Sequence, residues 1–266
     1  MSLSISPFNK NWTIHRFDEI DSTNSWLKDN RDILPDKSVA VAAFQTAGRG
    51  RLGRKWSAPT GTALMFSILL RPNWPIVQSS WLMMIAGLAA AEALSETSGV
   101  PIQLKWPNDI VYMTPNGLHK MGGILSEATT DNGLLAEAII GIGLNVNMTS
   151  DQLPSNTSTP ACSLQSITGD TFKLEPILDT LLQHFENYYQ AAANGISPLS
   201  NWQNELTTIG QSVTATLVPH GNISGTDAKK VDGVAVGVDE WGRLLIKTSL
   251  GAIEPVIAGD VTLRKS

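Results

Sequence analysis

Four of the chain's 19 basic residues, Arg49, Arg51, Arg54 and Lys55, fall within the nine residues Gly48–Trp56, interleaved with Gly48, Gly50 and Gly53. Glycines let a backbone approach a ligand closely. Arginine forks match carboxylate and phosphate oxygens and do not lose their charge. A solvated basic turn is the bland alternative, but the setting is acidic: 19 basic against 24 acidic residues give a net charge of −5. Positive charge gathered in one glycine-rich loop of such a chain suits the grip of a small anion. Trp56 closes the run, either as a core anchor or as a platform for a stacked base.

Lys105-Trp106-Pro107-Asn108-Asp109 forms a second group. Pro107 brings no N–H to a central ladder, so a strand is expected to end there and release Asn108 and Asp109 into a loop. A lysine, an amide and a carboxylate at one strand end suit a phosphate with a hard cation. The lysine would meet phosphate and Asp109 would offer oxygen to Mg²⁺, although an ordinary turn uses the same residue types. Lys120 precedes Gly122-Gly123 and a further expected strand; it either points into a site or rides a hairpin rim. Gly141-Ile142-Gly143-Leu144-Asn145-Val146-Asn147 ends another strand with glycines that relieve packing and with Asn145, an amide suited to ribose or phosphate.

Several reaction classes are excluded. Gly48-Arg49-Gly50-Arg51-Leu52-Gly53 spells the glycine pattern of a dinucleotide fold, but that fold opens a helix directly after the glycines. Here Ser57-Ala58-Pro59-Thr60-Gly61 follows, which is loop chemistry, and no acidic residue for a ribose occurs between Gly53 and Glu92. The patterns G-x-x-x-x-G-K-[ST], G-x-S-x-G and H-E-x-x-H are absent, and His15, His119, His184 and His220 are scattered. Joining one anion to another is opposed mainly by charge repulsion, so positioning and electrostatics are the expected means of catalysis.

The elements that must carry these groups are legible as hydrophobic runs. Trp12–Phe17, Ser38–Phe44 and Thr62–Leu70 read as strands, the last stopped by Arg71-Pro72. Asp21 or Ser22 is placed to cap a short helix that turns Trp26 and Leu27 inward. A helix from Trp81 to Ser98 is expected with Ser79 or Ser80 as cap and Gly99 past its end. Ile102–Trp106, Gly123–Ala128 and Leu135–Val146 read as three further strands. A second long helix over Glu175–Ala193 has Leu174, Ile177, Leu178, Leu181, Leu182, Phe185 and Tyr189 on one stripe.

From Gly210 to Arg264 the texture changes to short β-type runs, Val213–Val218, Val231–Val238, Leu244–Thr248 and Ile253–Ile257, with a hairpin turn at Asp239–Gly242. This predicts two domains, 1–206 and 207–266, the larger of class α+β with a mixed sheet and the smaller all-β. A hydrophobic content of 42% excludes a disordered chain. The single cysteine, Cys162, excludes an internal disulfide and suits a cytoplasmic location. The longest uninterrupted apolar run, Trp81–Ala91, is too short to span a bilayer, and Met1–Asn11 has no signal-peptide core.

Taken together, the basic loop Gly48–Trp56, Lys105-Trp106-Pro107-Asn108-Asp109, Lys120 before Gly122-Gly123-Ile124-Leu125, Asp21-Ser22-Thr23-Asn24 and Gly141–Asn145 resemble, in order, the motifs of the biotin protein ligases (biotin–[acetyl-CoA-carboxylase] ligases). The tail around Asp239–Arg243 and Gly259–Arg264 resembles that family's C-terminal SH3-like domain. The resemblance implies a two-step reaction: biotin and ATP form biotinyl-5′-AMP and pyrophosphate, then a lysine of a biotin carboxyl carrier protein or carboxylase carrier domain takes the biotinyl group. Biotin and ATP are then substrates and Mg²⁺ a cofactor.

The same resemblance implies residue roles. Ser22, Thr23, Asn24 and Gln45 would form the biotin ring pocket. Gly48, Arg49, Gly50 and Arg51 would close over carboxylate and phosphate, with Arg49 and Arg51 catalytic. Lys120 would hold the carboxylate and then the bridging oxygen. Arg51, Arg54, Trp56, Lys105, Asn108 and Asn145 would serve ATP, and Asp109 the metal. Met148–Pro160 would cover the adenylate and move until nucleotide binds. Two positions depart from the family: Leu52, where some members carry arginine, and Cys162, where threonine is common. About eleven residues precede the first strand, too few for the DNA-binding domain that some relatives carry, so a monofunctional enzyme with no DNA or membrane partner is expected, as monomer or homodimer. Lipoate–protein ligase is the neighbouring alternative, and a non-catalytic biotin or nucleotide sensor the alternative of a different class.

Overall fold

The computed structural model describes residues 2–4, 11–155, 157–217, 229–257 and 260–263. His220, Val218, Gly259 and Arg264, which figure in the sequence reading, lie outside the described residues.

In chain order the larger part runs β1 Ser2–Ser4, β2 Thr13–Ile20, α1 Thr23–Asn30, β3 Ser38–Gln45, β4 Ala63–Leu70, β5 Trp74–Pro75, α2 Ser79–Ser98, β6 Gln103–Lys105, β7 Asp109–Thr114, β8 Gly117–Asp131, β9 Leu134–Asn145, α3 Leu164–Thr168, α4 Leu174–Ala193 and α5 Leu199–Glu205. Its strands form one sheet in the order β1-β2-β3-β4-β9-β8-β7-β6, with β5 paired to β9. β2 and β3 are parallel and their neighbours antiparallel, so the sheet is mixed. The smaller part, β10 Ser212–Leu217, β11 Lys229–Val238, β12 Leu244–Lys247, β13 Ile253–Val256 and β14 Asp260–Leu263, makes an all-antiparallel sheet ordered β13-β12-β11-β10-β14. This is the α+β architecture with a small all-β unit that the hydrophobic runs predict.

One face of the large sheet carries the main core. α2 is apolar on all sides because it is enclosed by the sheet, α4 and α5; Leu82, Met84, Ile85 and Leu88 are buried, and Ala86, Ala89, Ala90 and Ala93 allow close approach. Residues 76–98 are long and apolar enough to cross a membrane, yet here they form this core. α4 presents Ile177, Leu178, Leu181, Leu182, Phe185 and Tyr189 as its buried stripe, as its periodicity requires. On the opposite face, α1 packs Leu27 against Ala40, Leu69 and Ile139, with Trp26 only partly covered.

Three local expectations are corrected. Neither Ser79 nor Ser80 caps α2: a 3₁₀ turn over Ile76–Gln78 leads into it, and no side chain caps its first turn. The strand ends at Lys105 and Asn108 lies in the turn, as expected, but Asp109 is not released into a loop. Trp106-Pro107 adopts the cis form, and Asp109 opens β7 paired with Lys105, so the proline turns a tight hairpin. Lys120 lies inside β8 rather than before it, because the strand begins at Gly117 and tolerates a bulge opposite Ile110/Val111. The short elements α3, α5, β1, β5 and β14 go unannounced in the hydrophobic pattern.

The larger and smaller parts share a continuous apolar cluster and several hydrogen bonds, three of them at β6 and the turn after it. Thr207 N–H donates to the Leu104 carbonyl (2.8 Å), Trp106 N–H to Thr208 Oγ1 (3.0 Å) and Trp106 Nε1 to the Gly242 carbonyl (2.9 Å). Trp106, 1% exposed, is thus the rivet between them.

Cys162 is buried, and burial pushes its thiol from 9.0 up to about 12. Burial followed by a hydrogen bond to Glu92 lifts Tyr188 to about 12, and burial raises Tyr189 as well. Groups with a higher folded than unfolded pKa keep their protons in the native state, so their stabilisation is full below the unfolded pKa and falls as pH rises toward the folded one. Denaturant melts are therefore expected to show stability declining from pH 9.0 toward about 12, with a shallower decline in Cys162→Ala. A midpoint unchanged over that window contradicts the assignment.

Candidate functional site

The register of the large sheet lays out a floor. Ala42 of β3, Met65 of β4, Gly143 of β9, Gly123 of β8 and Asp109 of β7 are lateral neighbours, and so are Ala40, Ser67, Gly141 and Leu125 in the next row. Laterally paired residues share a face, so the sheet centre presents three glycines and one hydroxyl on the side opposite α2. Two close approaches need them: a Cβ on Gly141 would lie 2.2 Å from Asn24 Oδ1, and one on Gly143 would lie 2.6 Å from the Trp56 ring.

A cleft of about 610 Å³ opens over this floor. It is lined by Ser22, Thr23, Asn24, Gln45, Arg49, Gly50, Arg51, Arg54, Trp56, Lys105, Asn108, Asp109, Lys120 and Asn145. These are all the predicted site residues except Gly48, which stands behind the wall. A Cβ on Gly48 would lie 2.5 Å from the Trp56 carbonyl oxygen, and the Gly48 carbonyl accepts from Trp56 N–H at 2.9 Å. Gly48 therefore closes the base of the basic loop rather than touching the cleft. Higher up, Gly50 N–H donates to the Arg54 carbonyl (2.7 Å), and the tip Arg51–Gly53 makes a 3₁₀ turn in which Leu52 takes φ +56°.

Ser22 caps α1, its hydroxyl accepting from Ser25 N–H at 3.4 Å, and this places the helix's first turn over the floor. Gln45 Oε1 accepts from Thr23 N–H at 2.8 Å. Arg51 Nη1 donates to Asn108 Oδ1 (2.7 Å), while Asn108 Nδ2 donates to the Ile124 carbonyl (2.7 Å), so the basic loop is folded down onto the Pro107 turn. Lys105, 7% exposed, reaches Thr159 Oγ1 at 3.1 Å. Lys120 Nζ lies 2.5 Å from Asp109 Oδ1, and its backbone is clamped by the Pro160 carbonyl and the Cys162 N–H. Asn145 donates to the Cys162 carbonyl at 3.0 Å, an anchoring bond rather than a free amide. Trp56 packs on Ala58, Ala63, Met65 and Met148, so it serves as a core anchor and a cleft wall at once; its buried Nε1–H has no hydrogen-bond partner among the described residues.

Three contributors carried no separate signal in the motifs. Ser67, the single hydroxyl of the β4 interior, lies 2.6 Å from Thr23 Oγ1 and donates to Asn24 Oδ1 at 2.5 Å; its isolation among Leu64–Leu70 was the available clue. Glu127 of β8 receives Asn24 and Arg49. Thr216, Val261 and Thr262 bring the small sheet to the cleft wall, a contact only the fold reveals. Pro154, Thr157, Ser158 and Thr159 of the covering segment also line it.

A short polar pocket at one end, and three lysines (Lys55, Lys105, Lys120) and three arginines around the rest, make a site for joining two anionic substrates. Two family models match the chain: the biotin/lipoate A/B protein ligase family over residues 16–145 and the biotin protein ligase C-terminal domain over residues 208–264. The biotin–[acetyl-CoA-carboxylase] ligase of Paracoccus denitrificans is 30% identical over 236 residues, covering 87% of this chain and 92% of that one. The bifunctional ligase/repressor BirA of Bacillus subtilis is 32% identical over 231 residues, covering 86% of this chain and 67% of its own. The biotin protein ligase of Aquifex aeolicus, solved in complex with biotin and ATP, superposes with a TM-score of 0.77 at 31% identity over 95% of this chain and 99% of that one. The chain belongs to the biotin protein ligase family.

Gly48→Ala is expected to open the loop's base, because the backbone oxygen in the way cannot swing aside. Trypsin should then cut at Arg49, Arg51, Arg54 or Lys55 about tenfold faster than in the parent chain, as for a locally opened segment. Equal cleavage rates contradict this account of the loop.

Proposed function

We propose that the chain condenses biotin with ATP to biotinyl-5′-AMP and then transfers the biotinyl group to a lysine of a biotin carrier domain. The observation that carries this reading is the single cleft in which Arg49, Arg51, Lys105 and Lys120 surround the glycine floor, next to the polar pocket of Ser22, Thr23, Asn24 and Gln45. Two anions repel as they meet; fixed cations offset that repulsion and gain strength where water is excluded.

In the first step the biotin carboxylate attacks the α-phosphorus and pyrophosphate leaves. Arg49 and Arg51 flank the two groups, and Lys120 neutralises the carboxylate and then the bridging oxygen. Arg54, Trp56, Lys105, Asn108 and Asn145 serve the nucleotide. In the second step the acceptor amine attacks the acyl carbon and AMP leaves. The covering segment through Thr159, beside Lys105, shields the adenylate between the steps.

Among the described residues no three His, Cys, Asp or Glu side chains group to hold a metal. Asp109 brings one carboxylate to the cleft wall, which suits Mg²⁺ carried on ATP, since Mg²⁺ keeps its waters and takes one or two carboxylates plus substrate phosphates. Asp109 would be the protein carboxylate, and the ion would supply charge neutralisation at the phosphates.

The catalytic domain is assigned to residues 1–206 and the SH3-like domain to 207–266, consistent with the separate antiparallel sheet. One chain supplies every named group, so a monomer or a homodimer satisfies this chemistry. An unpaired cysteine suits the cytoplasm, and the net charge of −5 does not suit DNA.

Incubation with biotin, ATP, Mg²⁺ and a carrier domain should give biotinylated carrier, AMP and pyrophosphate. Lys120→Ala should lose about 10²–10³-fold in pyrophosphate release, the scale of removing one transition-state donor. Arg51→Gly should release free biotinyl-AMP into solution, measured by chromatography. Normal turnover by Lys120→Ala overturns its assignment.

A further inference from the structure

A chain of polar contacts runs from the pocket to the basic loop, and one of its members has no part in the reaction chemistry above. Gln45 Oε1 accepts from Thr23; Thr23 Oγ1 meets Ser67 Oγ; Ser67 donates to Asn24 Oδ1; Asn24 Nδ2 donates to Glu127 Oε2 at 3.0 Å. The same Glu127 oxygen accepts from Arg49 Nη2 at 3.2 Å. Glu127 stands on β8 opposite Ile139, one row past the Ser67–Gly141–Leu125 row, so the strand register aims it beneath α1 and beside the loop.

The polarity of this chain needs a cause. Asn24 is pressed onto Gly141, so shape confines its amide, but shape does not decide which end is oxygen and which nitrogen, because the two are nearly the same size. Hydroxyls do not decide it either, since Ser67 and Thr23 can donate or accept. An ionised carboxylate only accepts. Glu127 therefore obliges Asn24 to turn Nδ2 outward and Oδ1 toward Ser67, and this direction propagates to the hydroxyls in the pocket. The same carboxylate holds the first loop arginine by a charge-assisted bond.

We propose that Glu127 is a positioning residue that sets the donor–acceptor order of the biotin pocket and ties that pocket to Arg49, so that ring recognition and loop placement depend on one carboxylate. The proposal rests on reading this pocket as the biotin ring site. Glutamine at 127 keeps the size but can also donate, so it leaves Asn24 free to flip and gives Arg49 no charge.

The test measures biotin binding by calorimetry, and steady-state KM and kcat, for Glu127→Gln, Arg49→Ala and the double variant. Glu127→Gln is expected to raise the biotin Kd about tenfold, the scale of a lost charge-assisted hydrogen bond, while the KM for ATP and the thermal unfolding midpoint stay near the parent values. Arg49→Ala should cost less in the Glu127→Gln background than alone, since the cycle reports the coupling. An unchanged biotin Kd, fully additive effects, or equal rises in the KM for both substrates overturn the proposal. If the parent chain binds no biotin, it is the functional reading that fails. The Glu127–Arg49 tie is then read without ligand, as faster tryptic cleavage at Arg49 in Glu127→Gln, and unchanged cleavage overturns it too. Should Glu127→Gln not fold, Arg49→Gln against the parent loop-cleavage rate gives the same reading from the other partner.

Discussion

The close approach of a helix and a loop to the bare centre of a sheet is the constraint on which this molecule depends. Gly141 and Gly143 alternate along β9 and both face the cleft, where the first accommodates the Asn24 amide and the second the Trp56 ring. A methyl group at either position would lift its partner by an ångström or more, since 2.2 and 2.6 Å are far inside contact distance. The opposite face of the same strands is filled by α2 and α4. One sheet is thus tightly packed on its core side and left bare on its working side, and the cleft is the volume that the absent side chains leave.

Around that floor the charged groups are arranged so that few stand alone. Arg49 is held by Glu127, Arg51 by Asn108, Lys120 by Asp109, and Lys105 by Thr159. Each tie is to a different element, so the basic loop, the Pro107 turn, β8 and the covering segment are joined through their polar side chains. Substrate anions entering such a site exchange one set of partners for another, which costs less than ordering a loop from a free state. Trp106 then links this assembly to the small sheet, whose Thr216, Val261 and Thr262 close the far wall.

Legibility in the sequence followed the physics of each feature. Long apolar runs bounded by Gly and Pro placed β3, β4, β9, α2 and α4 within a few residues, because one face of each must be buried. Fourteen of the fifteen predicted site residues line the cleft, and most of their motifs lie at strand ends, turns or a helix start, where backbone type is written locally; Lys120, inside β8, is the exception. What escaped was non-local. Asp109 reads as a loop residue until Pro107 is seen to turn a hairpin. Glu127 and Ser67 sit in ordinary strand contexts, and only the lateral register brings them beside Asn24. Gly48 has the composition of a contact residue, yet it is spent on the loop's own closure. The short helices α3 and α5 bury one side chain each, Leu164 and Trp202, and leave too little periodicity to read.

The central claim is that the cationic cleft activates biotin before any acceptor arrives. Isotope exchange between labelled pyrophosphate and ATP, run with Mg²⁺ and without a carrier domain, tests it most directly, because only a reversible adenylation step moves the label. The account predicts exchange that requires biotin, is not supported by lipoate, and is lost in Lys120→Ala. Exchange independent of biotin, or equally supported by lipoate, would contradict it.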